Sequence, residues 1–285
     1  MKIAIGSRQK FWEKYGDDLY KVCKKYGFDA IDCRMLTTPS DVIYTLSEKE
    51  IVERHKKERA LADEAGVELL QTHAPFAWPS YEATVAEREA IFERMKRSLC
   101  CSEILGVKLW VMHPLIPMGH RDLTTGGAEV TREVNLEFIA RLLPIAKECG
   151  VTICLENMPW HEFSIASPDE IREIVDTVND ENFKMCLDTG HANIYNKGLS
   201  VGDHARAQRE VLRALHVHDN DGKQDQHRIP YDGYVNWADF GAAIREIGFD
   251  GPFTFESAPS SRLPTHLFEK HLQLQREIAD SILGN

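Results

Sequence analysis

Three times in the chain a helix-like stretch stops at a glycine, a short β-rich run follows, and the run closes on a polar residue: AGVELLQTH, LGVKLWVMH and CGVTICLEN. The glycines, Gly66, Gly106 and Gly150, lie 40 and then 44 residues apart, room for one strand, one helix and their loops. Glycine suits that place because the residue past the last helical turn often takes a left-handed conformation. The repeat is therefore a βα unit. Counted along the chain, it predicts strands near 2–6, 29–34, 67–73, 107–113, 151–157, 183–189, 214–219 and 252–257.

Each predicted strand is followed by a helical segment with one apolar stripe. Ile171, Ile174, Val175 and Val178 fall at helical spacing, as do Phe240, Ala243, Ile244 and Ile247. Ser167, Pro168 and Glu170 form a helix start signal, and Asn236 with Asp239 does the same further on. Eight alternating units in 285 residues, with no linker or change of composition, predict an α/β fold of one domain over 1–285, a single (β/α)8 TIM barrel. Long loops at Pro114 to Ala128 and Asn220 to Asn236 would emerge at the strands' carboxyl ends, the first with Gly119, Gly126 and Gly127 to permit motion.

The charge of −11 disfavours nonspecific attraction to nucleic acid or an anionic membrane. No apolar stretch approaches the roughly 20 residues of a membrane span, and no leader precedes the first strand. Seven cysteines without a C-x-x-C read as reduced thiols, with Cys154 and Cys186 in buried strands, so a cytoplasmic protein is expected.

Function is concentrated at the strand ends. In a strand, Thr152, Cys154 and Glu156 share one face while Val151, Ile153 and Leu155 share the other and want a helical layer. Glu156 then stands at the carboxyl end on the polar side. Downstream runs end the same way, in Asp188 with His191, in His218 and in Glu256, and earlier ones end in His73 and His113. Core packing does not require so many metal-competent groups at one end of one sheet, and buried carboxylates are costly without a compensating cation. The set implies a metal site placed where barrels keep their active sites.

The succession THAP, MHP, LENMP, LDTGH, HVHDND and FTFES resembles the xylose-isomerase-like TIM-barrel superfamily, which holds sugar-phosphate isomerases and epimerases, ketose 3-epimerases and the endonuclease IV type of apurinic endonuclease. Under the ketose-epimerase pattern the resemblance implies metal ligands at Glu156, Asp188, His218 and Glu256, with the two glutamates as catalytic acid and base. His191 matches a substrate-contacting histidine, and His216 is expected one layer deeper as a packed or supporting residue. The endonuclease pattern, with three zinc ions, would map onto His73, His113, Glu156, Asp188, His191, His218, Asp225, His227 and Glu256. The surroundings depart from it. Gly190 stands where those enzymes carry cysteine, and RIPYDGYVNW replaces a glycine-rich stretch. The epimerase pattern in turn has an arginine where this chain has Gln224, which argues against a free ketohexose.

The expected activity is thus a divalent-metal-dependent isomerase or epimerase of a sugar, sugar phosphate or keto-sugar, working by proton transfer between Glu156 and Glu256. The alternatives are a dehydratase or lyase, an apurinic endonuclease and a non-catalytic sugar-binding barrel. Three carboxylates and one imidazole favour Mn²⁺ ahead of Co²⁺, Mg²⁺ or Zn²⁺. Substrate contacts are expected from His73, His113, His191 and His227, from the aromatic residues Trp12, Phe76, Trp78 and Trp160, and from Lys223 and Arg228, with His216 and Asp225 as further ligands or supports. The mouth segments carry only Arg121, Lys197, Lys223 and Arg228 as Lys or Arg, too few to line a groove for nucleic acid. The expected partner is a small sugar-like molecule, with no nucleic acid or membrane, and a homo-oligomer is compatible.

Overall fold

The computed structural model describes residues 1–6, 9–33, 42–76, 83–116, 122–195, 198–257, 259–260 and 262–284. Trp78, Gly119, Arg121 and Lys197 lie outside them. Eight strands form one parallel sheet: β1 (Ile3–Gly6), β2 (Ala30–Cys33), β3 (Glu68–His73), β4 (Leu109–Met112), β5 (Thr152–Glu156), β6 (Phe183–Asp188), β7 (Leu212–His216) and β8 (Phe253–Phe255). Each pairs with the next from β1 to β7, and β1 also pairs with β8. The seam between β7 and β8 is closed by a parallel bridge between Val217 and Phe255, where the Val217 amide donates to Thr254 O at 2.8 Å and the Glu256 amide to Val217 O at 3.0 Å. The chain is a single (β/α)8 TIM barrel.

The repeat glycines are left-handed as expected, with φ of 68°, 74° and 64° at Gly66, Gly106 and Gly150. Helix starts follow the sequence signals. The Ser167 hydroxyl accepts from the Glu170 amide at 3.2 Å while the Glu170 carboxylate accepts from the Ser167 amide at 2.8 Å, and Asn236 Oδ1 accepts from the Asp239 amide at 3.1 Å. The predicted stripes are the buried faces: Ile171, Ile174 and Val175 in the helix Pro168–Val178, and Phe240, Ala243 and Ile244 in the helix Trp237–Glu246.

Strand alternation sorts the two sides of the sheet. Ile153, Leu155, Met185, Leu187, Leu215, Phe253 and Phe255 join the large core between sheet and helices. Val111, Cys154, Cys186 and Ala214 form a separate small cluster. By alternation these are the inward residues of β4 to β7, and their modest size fits the narrow barrel interior. The same inward rows lead upward to Glu156, Asp188 and His216. Among the described residues no helix is long and apolar enough to cross a membrane.

The other strands run up to two residues shorter than expected at their ends, and β7 differs most. β7 was expected over 214–219 and instead spans Leu212–His216. Val217 leaves the pairing with β6 to bridge β8, and Asp219 pairs with Arg228 across the following loop. His218 therefore stands beyond the strand, at the mouth.

Removing the Ser167 hydroxyl leaves a helix-start amide without its acceptor. Ser167→Ala is expected to cost about 1 kcal/mol, read as a lower denaturation midpoint at unchanged slope.

Candidate metal centre at the barrel mouth

His73 is the last residue of β3. Its Nδ1 lies 2.8 Å from the Ala74 carbonyl oxygen, which can only accept, so Nδ1 carries the proton and Nε2 turns to Glu156 Oε2 at 3.3 Å. His113, just past β4, brings Nε2 to 3.2 Å of the same oxygen. His191 repeats the first device. Its Nδ1 donates to the Asn157 carbonyl at 2.8 Å, and its Nε2 faces Asp225 Oδ2 at 3.4 Å. Backbone carbonyls thus hold two imidazoles by Nδ1 and aim Nε2 of each at a carboxylate, as metal-binding histidines are held.

Of the four residues expected to hold a metal, Glu156, Asp188 and Glu256 come together with His216, while His218 falls in a separate group and meets them through Asp188. Glu156, Asp188 and Glu256 are buried. His218 Nε2 lies 2.9 Å from Asp188 Oδ1 and 3.0 Å from Oδ2. His216 is also drawn in, its Nδ1 2.9 Å from Glu156 Oε1 and 3.1 Å from Glu256 Oε1. By proximity the donors fall into three groups, each with atoms within 4.8 Å of one another: Glu156, Asp188, His216 and Glu256; His73, His113 and Glu156; and His191, His218, Asp225 and His227. Glu156 belongs to two of them. His227 links the others, with Nε2 3.2 Å from Asp225 Oδ2, Nδ1 3.2 Å from Glu256 Oε2, and its ring stacked on His218 at 4.1 Å.

Electrostatics follow from this crowding. Burial alone would push the Glu156 carboxyl up, but His216 and His113 outweigh it and hold it well below the usual carboxylate range. Asp188 is likewise held low by His191 and His218 against its burial. Burial opposes charge on His191, yet Asp188, Asp225 and Glu156 raise it to about 10. His227 is lowered to about 4, chiefly by burial, with Asp225 opposing. In the metal-free protein the carboxylates rely on imidazoles for charge compensation. The donor set, carboxylate oxygens and oriented imidazole nitrogens, fits a divalent cation.

The remaining expected contacts scatter. Phe76 is exposed and stacks on His113 at 5.0 Å, in reach of the centre. Trp160 packs on Phe163 at 4.8 Å, beside a patch of Ile116, Met158 and Tyr195. Trp12 lies in the helix Gln9–Tyr15, edge-on to Tyr20 at 5.5 Å. Lys223 is exposed, and Arg228 Nη1 donates to the Asp232 carbonyl of its own loop at 2.9 Å.

Several supporting residues went unnoticed in the sequence. Asn157 donates to Asp188 O at 3.1 Å and accepts from the Asp188 amide at 2.8 Å, locking the ends of β5 and β6 together. Asp219 accepts from the Tyr231 amide at 3.1 Å, the Val235 amide at 3.1 Å and Trp237 Nε1 at 2.7 Å, folding the long loop back on the mouth. Both stand beside residues in the quoted motifs, LEN and HDN, and that adjacency was the available signal. Gly190 is explained by close approach, since a Cβ there would lie 2.0 Å from His218 Cε1.

These features define a barrel with a multidentate carboxylate–imidazole centre at its mouth. The family model for the xylose isomerase-like TIM barrel matches residues 20–278, and the chain belongs to that family. It is 25% identical over 258 residues to the D-psicose 3-epimerase of Agrobacterium fabrum, covering 88% of this chain and 83% of that one. It is also 24% identical over 266 residues to the probable endonuclease 4 of Metamycoplasma arthritidis, covering 87% and 90%. The solved D-psicose 3-epimerase of Clostridium cellulolyticum H10 with D-tagatose superposes with a TM-score of 0.78 at 20% identity, over 99% of each chain, and shares the fold.

The raised His191 sets a pH dependence. A group whose folded pKa exceeds its unfolded value stabilises fully below the latter, about 6.5, and loses that contribution as pH rises through the folded value, about 10. The melting temperature of the metal-free protein is expected to fall over this window, and His191→Gln to remove that part of the slope in matched thermal scans.

Proposed function

We propose that the protein is a divalent-metal-dependent epimerase or isomerase of a small keto- or aldo-sugar, with Glu156 and Glu256 as the proton-transferring pair. The observation that carries this reading is the meeting of two buried glutamates from β5 and β8 on one imidazole nitrogen, at 2.9 and 3.1 Å. Inverting or moving a stereocentre beside a carbonyl needs one group to take a proton and another to return it, and two carboxylates on different strands supply both. The relatives named D-psicose 3-epimerase agree with that chemistry.

Glu156, Asp188, His218 and Glu256 would hold the cation, with Mn²⁺ the best match to three carboxylates and one imidazole. His218 is preferred to His216 as the imidazole ligand because it lies past the end of β7 and touches both oxygens of Asp188. Bound there, the cation supplies Lewis acidity to a carbonyl beside the carbon that loses its proton. Glu156 then takes the proton from one face and Glu256 returns it at the other. His191 and His227 offer hydrogen bonds to hydroxyls, while Phe76 offers an apolar face to the sugar's C–H groups. The protein would act in the cytoplasm, on a small molecule.

The three donor groups favour a second reading, a multinuclear hydrolytic site like that expected for an endonuclease. The net charge of −11 and the loop-bound Arg228 weigh against a phosphate-lined groove.

The test is a screen of keto- and aldo-sugars in deuterated water with the metal-loaded protein, beside abasic-site duplex DNA and elemental analysis. Deuterium is expected at a substrate carbon, with no incision. Glu156→Gln and Glu256→Gln at saturating metal are each expected to lower turnover by at least about a hundredfold. Full turnover in either variant, or salt-sensitive incision with three zinc ions per chain, would sink the proposal.

A further inference from the structure

Beneath the centre, the β2, β3 and β8 side of the barrel interior is polar, unlike the small apolar cluster of Val111, Cys154, Cys186 and Ala214 on β4 to β7. Asp32 on β2, Gln71 on β3, His216 on β7 and Thr254 on β8 are all fully buried. Gln71 Nε2 donates to Asp32 Oδ2 at 3.3 Å, and Thr254 Oγ1 donates to Gln71 Oε1 at 3.3 Å. Above them the His216 ring points Nε2 at Asp32 Oδ2, 3.9 Å away, and Nδ1 at Glu156 Oε1 and Glu256 Oε1. It also stacks on His73 at 5.7 Å with planes 16° apart. Packing alone would favour apolar residues here, since a buried acid costs stability unless its charge is used.

We propose that His216, seated on Asp32, is a positioning residue that sets both glutamates. Its two Nδ1 neighbours are carboxylate oxygens, which accept, so Nδ1 is the donor between them. Holding the two Oε1 atoms in this way turns each Oε2 outward: Glu156 Oε2 towards His73 and His113 at 3.3 and 3.2 Å, and Glu256 Oε2 towards His227 at 3.2 Å. A ring turned over would present carbon to the glutamates. Asp32 and the stack on His73 oppose that rotation.

The proposal rests on the metal reading above, and one experiment separates them. Mn²⁺ is titrated into the purified, metal-stripped full chain and free Mn²⁺ is followed by electron paramagnetic resonance, for wild type, His216→Asn, His216→Leu and Asp32→Asn, with thermal melts of each. Asparagine can place an amide N–H where Nδ1–H stood; leucine cannot. His216→Asn is expected to bind within about threefold of wild type, and His216→Leu and Asp32→Asn at least about tenfold more weakly, without the order of affinities following the order of melting temperatures. Wild-type affinity in His216→Leu, or in Asp32→Asn, or equal weakening in both His216 variants, overturns the positioning role alone. Wild-type protein that binds no Mn²⁺ overturns the metal reading and this proposal with it. Should His216→Leu not fold, the comparison of His216→Asn with Asp32→Asn still decides.

Discussion

Everything at the mouth of this barrel answers to the crowding of buried carboxylates. Glu156, Asp188 and Glu256 lie buried around His216, and like charges so close together cannot ionise freely without compensation. Among the described residues, the ion partners of Glu156 and Asp188 are histidines. An imidazole is a conditional cation, so the balance in the metal-free protein depends on pH. A divalent ion would supply the compensation without a proton, leaving the imidazoles neutral and able to ligate.

The barrel makes such crowding possible by spending its sequence on rigidity around it. Inward side chains from neighbouring strands meet near one level because the strands are parallel: Glu156 pairs with Cys186, and past a register shift at Met185/Cys186, Asp188 pairs with His216. The strand ends are then cross-tied by side chains that do no chemistry. Asn157 ties β5 to β6, and Thr189 both donates to the His218 carbonyl at 2.7 Å and accepts from its amide at 3.0 Å. Asp219 gathers the loop beyond β7 around four donors, three of them backbone amides besides that of Trp237 Nε1. Donor atoms held this way need little reorganisation on binding a cation, which is how a site gains affinity and selectivity from its supports.

The sequence was most legible where a rule has a short range. Gly66, Gly106 and Gly150 marked helix ends, Ser167 a helix start and strand alternation the side to which Glu156 points, each a matter of a few residues. The end of β7 was less legible, because the bridge from Val217 to Phe255 depends on residues 38 positions apart and on closure of the whole barrel. Asp32 went unread altogether. Its strand, AIDC, gives no sign that the inward face is shared with Gln71 and Thr254, since those contacts span 39 and 183 residues.

The pair His216 and His218 shows why spacing alone leaves chemistry open. Two residues apart on an extended chain, they share a face, and a sequence reading can rank them only by depth. In the fold the difference is one of environment. His216 ends β7, fully buried among carboxylates and near Asp32. His218 lies past the strand, against Asp188 and under the ring of His227, where Gly190 leaves space for it. One imidazole thus lies at the end of the strand among the buried acids, and the other beyond it, under His227. That division requires β7 to end where it does: a strand running two residues further would carry His218 into the pairing with β6 and away from the loop that Asp219 folds over it.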